Sequence, residues 1–279
     1  MSNIKKIALL FSQNIAFLAE YIWKKNFKVI FLSGIAYIIY RVSPFANKTQ
    51  AFFKKTSENQ KIYENLTPLN YIPTIWMPFP SMQMFLHESM EVKEVYFKRE
   101  YVISDDGGEY SLDWVVDDPR EFQKEKNKNI FLILHGLTGG SNTIYMRDII
   151  YEMKNLKDFK ICVLHNRGIN DTPLKTPKSF HASFTNDIKH IFKLLKTRYP
   201  ESSLYTMGIS MGANILTKFF ANEYDMGDYV KCFISLSNPF DFHECYNRTK
   251  DSIISYFLKI NMRSFFEVNP ILRNVKGGY

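Results

Sequence analysis

The chain has 279 residues, of which 46% are hydrophobic and 16% aromatic, and its formal net charge is +8. That composition excludes an intrinsically disordered chain and suffices for one sizeable hydrophobic core. Most of the positive charge lies near the N-terminus, because residues 1–60 contain nine basic side chains and two acidic ones. Since no clustered basic surface on a folded module is visible, we expect no nucleic-acid binding.

The three cysteines, Cys162, Cys232 and Cys245, show no C-x-x-C spacing and cannot all pair. We therefore expect reduced thiols, buried as small hydrophobic groups, in a reducing compartment. Histidines and cysteines nowhere cluster at metal-ligand spacing, so we expect no metal site.

Two apolar stretches occupy the N-terminal region. The first, Ile7–Trp23, is interrupted by polar residues and is more typical of an interfacial helix. The second, Val29–Tyr40, carries no charge and is bounded by Lys28 and Arg41. It is shorter than the roughly 20 residues that cross a bilayer, but it lengthens if the basic side chains snorkel. It predicts a single-pass membrane anchor at about 29–42, of undetermined orientation. The alternative is a buried core helix.

The pattern divides the chain into three parts. Residues 1–60 form the basic and apolar N-terminal segment, residues 61–98 a proline-containing linker and strap, and residues 99–279 the globular domain. The globular domain begins with two strand candidates, Glu100–Ser104 and Ser111–Val116, joined by an Asp-Gly-Gly turn. Such a turn between apolar runs indicates a β-hairpin.

Strand and helix patterns then alternate along the rest of the chain. Continuous apolar runs predict buried strands, and apolar residues at helical spacing predict helices. The predicted strands are Asn129–Leu134, Phe159–Leu164, Ser203–Met207 and Val230–Ser237, and the predicted helices are Ser141–Leu156, 184–199 and Met211–Asn222. This alternation predicts an α/β fold, with a mainly parallel sheet covered by helices on both faces.

The pentapeptide 208–212 is G-x-S-x-G and lies between a predicted strand and a predicted helix. This is the context of a nucleophile elbow, with Ser210 as the catalytic serine. Side chains at Gly208 or Gly212 would collide with the neighbouring strand and helix. The Met211 N–H would point at the developing oxyanion. The alternative is a chance pentapeptide in a tight turn.

A second glycine-rich loop, His135–Gly140, follows the first buried strand. This position suits the second oxyanion donor, and we expect the Leu137 N–H to supply it. Each such donor is worth roughly 3–4 kcal/mol of transition-state stabilisation. We expect His135 to shape the loop by hydrogen bonding rather than to act as the base. No lysine follows at the spacing of a phosphate-binding loop.

Two further polar residues end predicted strands. We expect Arg167 to pin its loop to a carboxylate or to backbone carbonyls, with a direct substrate role as the alternative. Asp241 is either the triad acid or a turn-capping aspartate.

These motifs, taken together, resemble the membrane-anchored α/β-hydrolase-domain family that includes ABHD1 and ABHD3. The resemblance covers roughly residues 70–245. Its pieces are the strap Thr74-Ile75-Trp76, the hairpin from Asp106-Gly107-Gly108 to Leu112-Asp113-Trp114, the loop His135–Ser141, the segments Asn166-Arg167-Gly168 and Leu174–Pro177, the elbow Gly208–Leu216, and Ser237–Asp241.

The resemblance implies an α/β-hydrolase fold and a serine hydrolase that needs no cofactor. The implied substrates are lipid-type carboxylic esters, including phospholipids and acylglycerols. Membrane association would come through the N-terminal segment. An aromatic region after the elbow, containing Phe257, Leu258, Phe265 and Phe266, resembles a lid, although ordinary core packing is the alternative.

The chain departs from the family in length. The family's acid and histidine come on later strands, whereas this chain ends at Tyr279. We therefore expect a C-terminally truncated fold in which Asp241 and His243 are only weak triad candidates. On that expectation the chain as written is a poor catalyst. The alternative function is a truncated or pseudoenzyme hydrolase-like binding protein.

Overall fold

The computed structural model describes residues 20, 23–24, 26–41, 43, 50–65, 74, 83, 87, 90–118, 120, 128–222 and 229–274. The chain divides into two compact units, residues 1–88 and 89–279. Most of the predicted interfacial helix Ile7–Trp23 and of the strap Thr74-Ile75-Trp76 lies outside the described residues.

The first unit contains a helix that is continuous over residues 26–41 and a second helix, α1 (Ser57–Asn65). Within the described residues, no helix is both long and apolar enough to cross a membrane. The span predicted at about 29–42 is therefore unsupported, although residues 29–41 are helical. The bounding charges Lys28 and Arg41 leave the uncharged run too short.

The second unit alternates strands and helices as the sequence predicts. Its strands are β1 (Tyr96–Ile103), β2 (Glu109–Val116), β3 (Asn129–Leu134), β4 (Phe159–His165), β5 (Leu204–Ile209) and β6 (Val230–Leu236). Its helices are α2 (Ile144–Met153), α3 (Asn186–Arg198), α4 (Met211–Asn222), α5 (Phe242–Thr249) and α6 (Ile253–Val268), followed by a 3-10 turn at Pro270–Asn274.

The six strands form one sheet in the order β1-β2-β4-β3-β5-β6. Strands β3 to β6 pair in parallel, whereas β1 and β2 form an antiparallel hairpin that joins the sheet through β4. The carboxyl ends of the four parallel strands therefore meet at one edge, and the loops that follow these strands build the candidate site.

Helices cover both faces of the sheet because the central strands are apolar on both sides. On β3, Ile130, Leu132 and Leu134 pack with α3 and α4 in one core cluster. The alternate residues Phe131 and Ile133 pack with α2 in a second cluster on the other face. The predicted α/β hydrolase architecture, a mainly parallel sheet with helices on both faces, is confirmed.

Candidate active site

Ser210 occupies a strained turn between β5 and α4. Its φ is +54°, a left-handed conformation that residues other than glycine rarely adopt. Its backbone N–H donates to the Leu236 carbonyl at 2.9 Å, which ties the turn to β6. Such strain is typical of functional turns in which the surrounding structure holds one residue in place.

The glycines on either side of Ser210 allow this turn to form. A Cβ on Gly208 would lie 2.5 Å from the Cα of Ala213, inside the start of α4. A Cβ on Gly212 would lie 2.6 Å from the carbonyl oxygens of Leu134 and His135. Both distances are shorter than real Cβ contacts. A larger residue at either position would therefore collide with the neighbouring strand or helix, as expected from the sequence.

The loop after β3 lies directly against the elbow. Leu134, the last residue of β3, pairs with Gly208 of β5. A Cβ on Gly136 would lie 3.2 Å from the Ser210 Cβ and 3.8 Å from its Oγ. The loop that carries the predicted donor Leu137 and the turn that carries Met211 are therefore neighbours around Ser210.

His135 is fully buried, and both its ring nitrogens are engaged. Nδ1 lies 2.6 Å from the Gly136 carbonyl oxygen, and Nε2 accepts from the Asn166 N–H at 3.4 Å. Burial lowers the pKa of His135 to about 4, and the neighbouring His165 contributes to the shift. A neutral ring therefore joins the loops after β3 and β4, which is the structural role expected of it.

Asp113, a buried carboxylate in β2, belongs to the hairpin motif, but its part in the site was not predicted. Arg99 donates to its two oxygens at 2.7 and 2.8 Å, and the Ser141 hydroxyl donates at 2.5 Å. His165 Nε2 lies 3.0 Å away. Burial opposes the charge of Asp113, but the hydrogen bonds from Arg99 and then His165 outweigh it and hold the carboxyl's pKa well below its usual range.

This carboxylate fixes the far end of the predicted oxyanion loop, His135–Gly140. Ser141 directly follows the loop and precedes α2, and its hydroxyl is committed to Asp113. His165 ends β4 and is steadied from the other side by Asn170, whose Nδ2 lies 3.1 Å from Nδ1. A charged residue between the apolar residues Leu112 and Trp114 of a predicted strand is the one sequence signal that could have revealed this cluster.

Arg167 is also fully buried, and it binds two carboxylates. It donates to both oxygens of Asp187, at 2.8 and 2.6 Å, and to both oxygens of Asp106, at 3.0 and 2.8 Å. The hydrogen bonds from Arg167 are the main cause that lowers the pKa of Asp106 to about 2. Arg167 thus pins the loop after β4 to carboxylates. Carboxylates are one of the two kinds of partner expected from the sequence, the other being backbone carbonyls.

The two weak triad candidates lie at the start of α5. Asp241 accepts from the Glu244 N–H at 2.8 Å and so caps this helix. His243 is exposed on its first turn. Within the described residues, no histidine ring is hydrogen-bonded to Ser210 Oγ. The assignment of a triad acid and histidine, and the low activity expected of the chain, stay predictions.

The predicted lid-like region divides into a packed part and an exposed part. Phe265 of α6 is buried, and Asn269 donates to the Gly168 carbonyl at 3.0 Å, which docks the end of α6 on the loop after β4. Phe257 and Leu258 are exposed. A cavity of about 270 Å³ lies between α6 and the oxyanion loop, lined by Thr138, Gly168, Ile169, Asn170, Asn261, Ser264, Phe265 and Val268.

The cysteines differ from expectation in their burial. All three are free, but only Cys162 is buried, in β4. Cys232 and Cys245 are exposed, because β6 and α5 are largely solvent-accessible.

The family profile of the α/β hydrolase fold matches residues 129–266, the stretch that carries the elbow and the oxyanion loop. These residues form an α/β hydrolase domain. The hydrolase domain is similar to a monoacylglycerol lipase of Saccharomyces cerevisiae, which is 39% identical over 127 residues, or 46% of this chain and 28% of the lipase. It is also similar to phospholipase ABHD3 of Bos taurus, 27% identical over 198 residues, or 70% of this chain and 48% of the phospholipase. The family resemblance drawn from the motifs is thereby confirmed.

Among solved structures, an esterase of Pyrococcus furiosus is 20% identical with a TM-score of 0.45, over 64% of this chain and 66% of the esterase. The chain spans less than half the length of the lipase and the phospholipase.

Proposed function

We propose that the hydrolase domain cleaves carboxylic esters with Ser210 as the nucleophile. The observation that carries this proposal is the elbow itself. Ser210 is held at φ +54° between β5 and α4, and Gly136 of the oxyanion loop lies against its side chain. If the G-x-S-x-G sequence were a chance occurrence in an ordinary turn, we would expect neither a serine with positive φ nor a glycine-rich loop packed beside it.

The proposed reaction follows the serine-hydrolase scheme. Ser210 Oγ attacks the ester carbonyl while a histidine takes its proton, and water later releases the acyl group. The Leu137 and Met211 N–H groups stabilise the oxyanion of the tetrahedral intermediate. No histidine of the described residues is assigned to the proton transfer.

We propose lipid-type esters as the substrate class. The relatives named above are a monoacylglycerol lipase and a phospholipase, which supports an acyl-chain substrate.

We further propose that the N-terminal helix associates with a membrane surface. Its large apolar side chains are exposed around the helix: Phe27, Val29, Ile30, Phe31, Leu32, Ile35, Tyr37, Ile39 and Tyr40. Basic residues flank this apolar surface, as in helices that bind anionic lipid surfaces. The three free cysteines support a reducing compartment for the hydrolase domain.

The catalytic proposal is tested by fatty-acid release from a dispersed monoacylglycerol and from a short water-soluble ester. The full chain is compared with Ser210→Ala. Because no histidine of the described residues is assigned to the proton transfer, we expect slow release that exceeds background in the wild-type chain only and that is faster from the dispersed lipid. Equal rates in the two proteins contradict a serine hydrolase, whereas a preference for the short ester contradicts only the substrate class.

Membrane association is tested separately by flotation with anionic vesicles. The full chain is compared with a double variant, Phe31→Glu with Leu32→Glu, in the exposed part of the helix. We expect the wild-type chain to float and the variant to stay in the soluble fraction. A wild-type chain that does not float contradicts this proposal and leaves the catalytic one intact.

A further inference from the structure

Asn170, in the loop after β4, has a backbone conformation that residues other than glycine rarely adopt. Its φ is +49°, and the φ of the next residue, Asp171, is +61°. Two consecutive non-glycine residues in the left-handed region cost free energy, and such strain persists only where the surrounding structure holds it. At Asn170 the backbone is held by Arg99, which donates to the carbonyl oxygen at 2.5 Å.

The side chain of Asn170 lies against the end of the predicted oxyanion loop. A Cβ on Gly140, the last residue of that loop, would lie 2.7 Å from Asn170 Nδ2. Asn142, two residues further along the chain, donates from its Nδ2 to Asn170 Oδ1 at 3.2 Å. Asn170 Nδ2 also lies 3.1 Å from His165 Nδ1. One amide group therefore contacts both the end of the loop and the buried histidine.

These contacts belong to a closed ring of hydrogen bonds around the end of the loop. The members of the ring, in order, are Asn142, Asn170, His165, Asp113 and Ser141. The last two meet at one carboxylate oxygen, because the Ser141 hydroxyl donates at 2.5 Å to the oxygen that lies 3.0 Å from His165 Nε2. Since Ser141 and Asn142 are neighbours in the chain, the ring holds two consecutive residues directly after the loop.

The direction of these hydrogen bonds follows from a partner outside the ring. Arg147 Nη2 donates to Asn142 Oδ1 at 3.4 Å, and arginine has no acceptor. The Asn142 amide nitrogen therefore faces Asn170 and donates to its Oδ1. The other end of the Asn170 amide, Nδ2, is then the donor to His165 Nδ1. A ring nitrogen that accepts a hydrogen bond carries no proton, so the proton of His165 is assigned to Nε2.

This tautomer agrees with the contacts of His165 on its other side. Nε2 lies 3.0 Å from the Asp113 carboxylate, which can only accept, and 3.4 Å from the Ser141 N–H, which can only donate. One nitrogen cannot serve both partners. The shorter contact with the charged acceptor decides for a proton on Nε2, because two lone pairs would otherwise face each other.

We propose that Asn170 is a positioning residue of the hydrolase site. Its amide sets the tautomer of His165 and holds the end of the loop, so that the Leu137 N–H stays directed at the oxyanion. The strained backbone places the amide between the loop and the histidine ring. The inference rests on the proposed function, because it gives Asn170 a part in the reaction of Ser210.

The tautomer is tested in the wild-type chain by ¹⁵N NMR of the histidine rings, with the signals assigned from the backbone. We expect Nδ1 of His165 to be unprotonated and Nε2 to carry the proton. A proton on Nδ1 overturns the proposal, because the Asn170 amide cannot donate to a protonated nitrogen. This measurement does not depend on hydrolase activity.

The hold on the loop is tested by hydrogen exchange of the peptide that covers residues 136–141. Asn170→Gly removes the amide and accepts the positive φ, and the matched control Asp171→Gly makes the same change at the exposed neighbour, whose φ is also positive. We expect exchange at least about tenfold faster in Asn170→Gly and unchanged in Asp171→Gly. Equal exchange in the two variants overturns the proposal. If Asn170→Gly fails to fold, Asn170→Asp takes its place, and we expect it to put a proton on His165 Nδ1.

The part of Asn170 in the reaction is tested by the rate at which a fluorophosphonate labels Ser210. We expect the rate to fall at least about tenfold in Asn170→Gly relative to Asp171→Gly, because misplacing a group by about 1 Å can cost on the order of a hundredfold. Faster exchange of the loop with an unchanged labelling rate overturns the positioning role. A wild-type chain in which Ser210 is not labelled contradicts the proposed function itself, whereas faster exchange in Asn170→Gly alone would still support the hold on the loop.

Discussion

The guanidinium of Arg167 occupies the space that a side chain at Gly108 would need. A Cβ on Gly108 would lie 2.0 Å from Arg167 Nη1. The hairpin turn between β1 and β2 therefore closes over the arginine, and Asp106 of the same turn pairs with it. The hairpin and the loop after β4 are thus joined through a buried charge cluster.

Arg167→Met tests the contribution of this cluster to stability. Removing the cation leaves Asp187 buried without its partner, so we expect a loss of about 3–5 kcal/mol in the free energy of unfolding. Urea unfolding followed by circular dichroism measures it. The matched control is Arg248→Met, which removes an exposed pair with Glu244 on α5 and should change stability by less than about 0.5 kcal/mol. Equal effects of the two variants would contradict the structural role of Arg167.

Acid should destabilise the hydrolase domain in two steps. The pKa of His135 is about 4 in the folded state, below its ordinary value, so the unfolded chain binds a proton first as pH falls. Stability is therefore full above about pH 6.5 and decreases by on the order of 3 kcal/mol down to about pH 4. Asp106, with a pKa of about 2, contributes stability above its ordinary pKa that is lost as pH falls further toward 2.

The His135→Gln variant isolates the first step, because glutamine can hydrogen-bond but does not titrate. We expect its free energy of unfolding, measured in urea at a series of pH values, to vary less than that of the wild type between pH 6.5 and 4. An unchanged slope would show that His135 is not the group responsible.

Ser210→Gly should increase stability while it abolishes reactivity. Glycine adopts positive φ without the strain that serine has, so we expect a gain of about 1 kcal/mol in urea unfolding. Ser237 provides a matched control, since its φ is also positive, +52°. Ser237→Gly should gain similar stability and keep the reactivity toward a fluorophosphonate. A destabilised Ser210→Gly would contradict the strain assigned to the elbow.

Asp241 can be tested as a helix cap against its alternative as the triad acid. As a cap, Asp241→Ala should cost about 1 kcal/mol, whereas Asp241→Asn should retain most of the stability because asparagine also caps helices. Neither variant should change the labelling rate of Ser210. A similar fall in labelling in both variants would favour the triad acid instead, because asparagine cannot replace that charge.

The regular elements of the hydrolase domain could be predicted closely from the sequence. The strand Asn129–Leu134 and the helix Met211–Asn222 have the predicted bounds, since a continuous apolar run and a G-x-S-x-G turn mark them sharply. The predicted helix Ser141–Leu156 instead begins at Ile144, because the preceding turn is held by long-range contacts. In that turn, the Ser141 hydroxyl donates a hydrogen bond to Asp113, which lies 28 positions earlier in the chain.

The turn around Ser210 and the glycine-rich loop beside it were predictable from the sequence, but the partners of the buried charged residues were not. Short segments with fixed steric requirements encode the glycines of the turn and the loop His135–Gly140, whereas the catalytic role of Ser210 stays a prediction. The hydrogen bonds of Arg167 and of Asp113 connect residues that lie 14 to 61 positions apart in the sequence. Such long-range contacts leave no periodic pattern from which they could be predicted. The transmembrane prediction at about 29–42 is unsupported, because no helix of the described residues is both long and apolar enough to cross a membrane.

The most direct test of the account is to identify the residue that a fluorophosphonate modifies in the full chain. After prolonged incubation, the adduct is located by tandem mass spectrometry in the wild-type chain and in Ser210→Ala. We expect an adduct on Ser210 that is absent from the variant, with Ser141 unmodified because its hydroxyl donates a hydrogen bond to Asp113. An adduct on another residue, or labelling that is the same in Ser210→Ala, would contradict the assignment of Ser210 as the nucleophile.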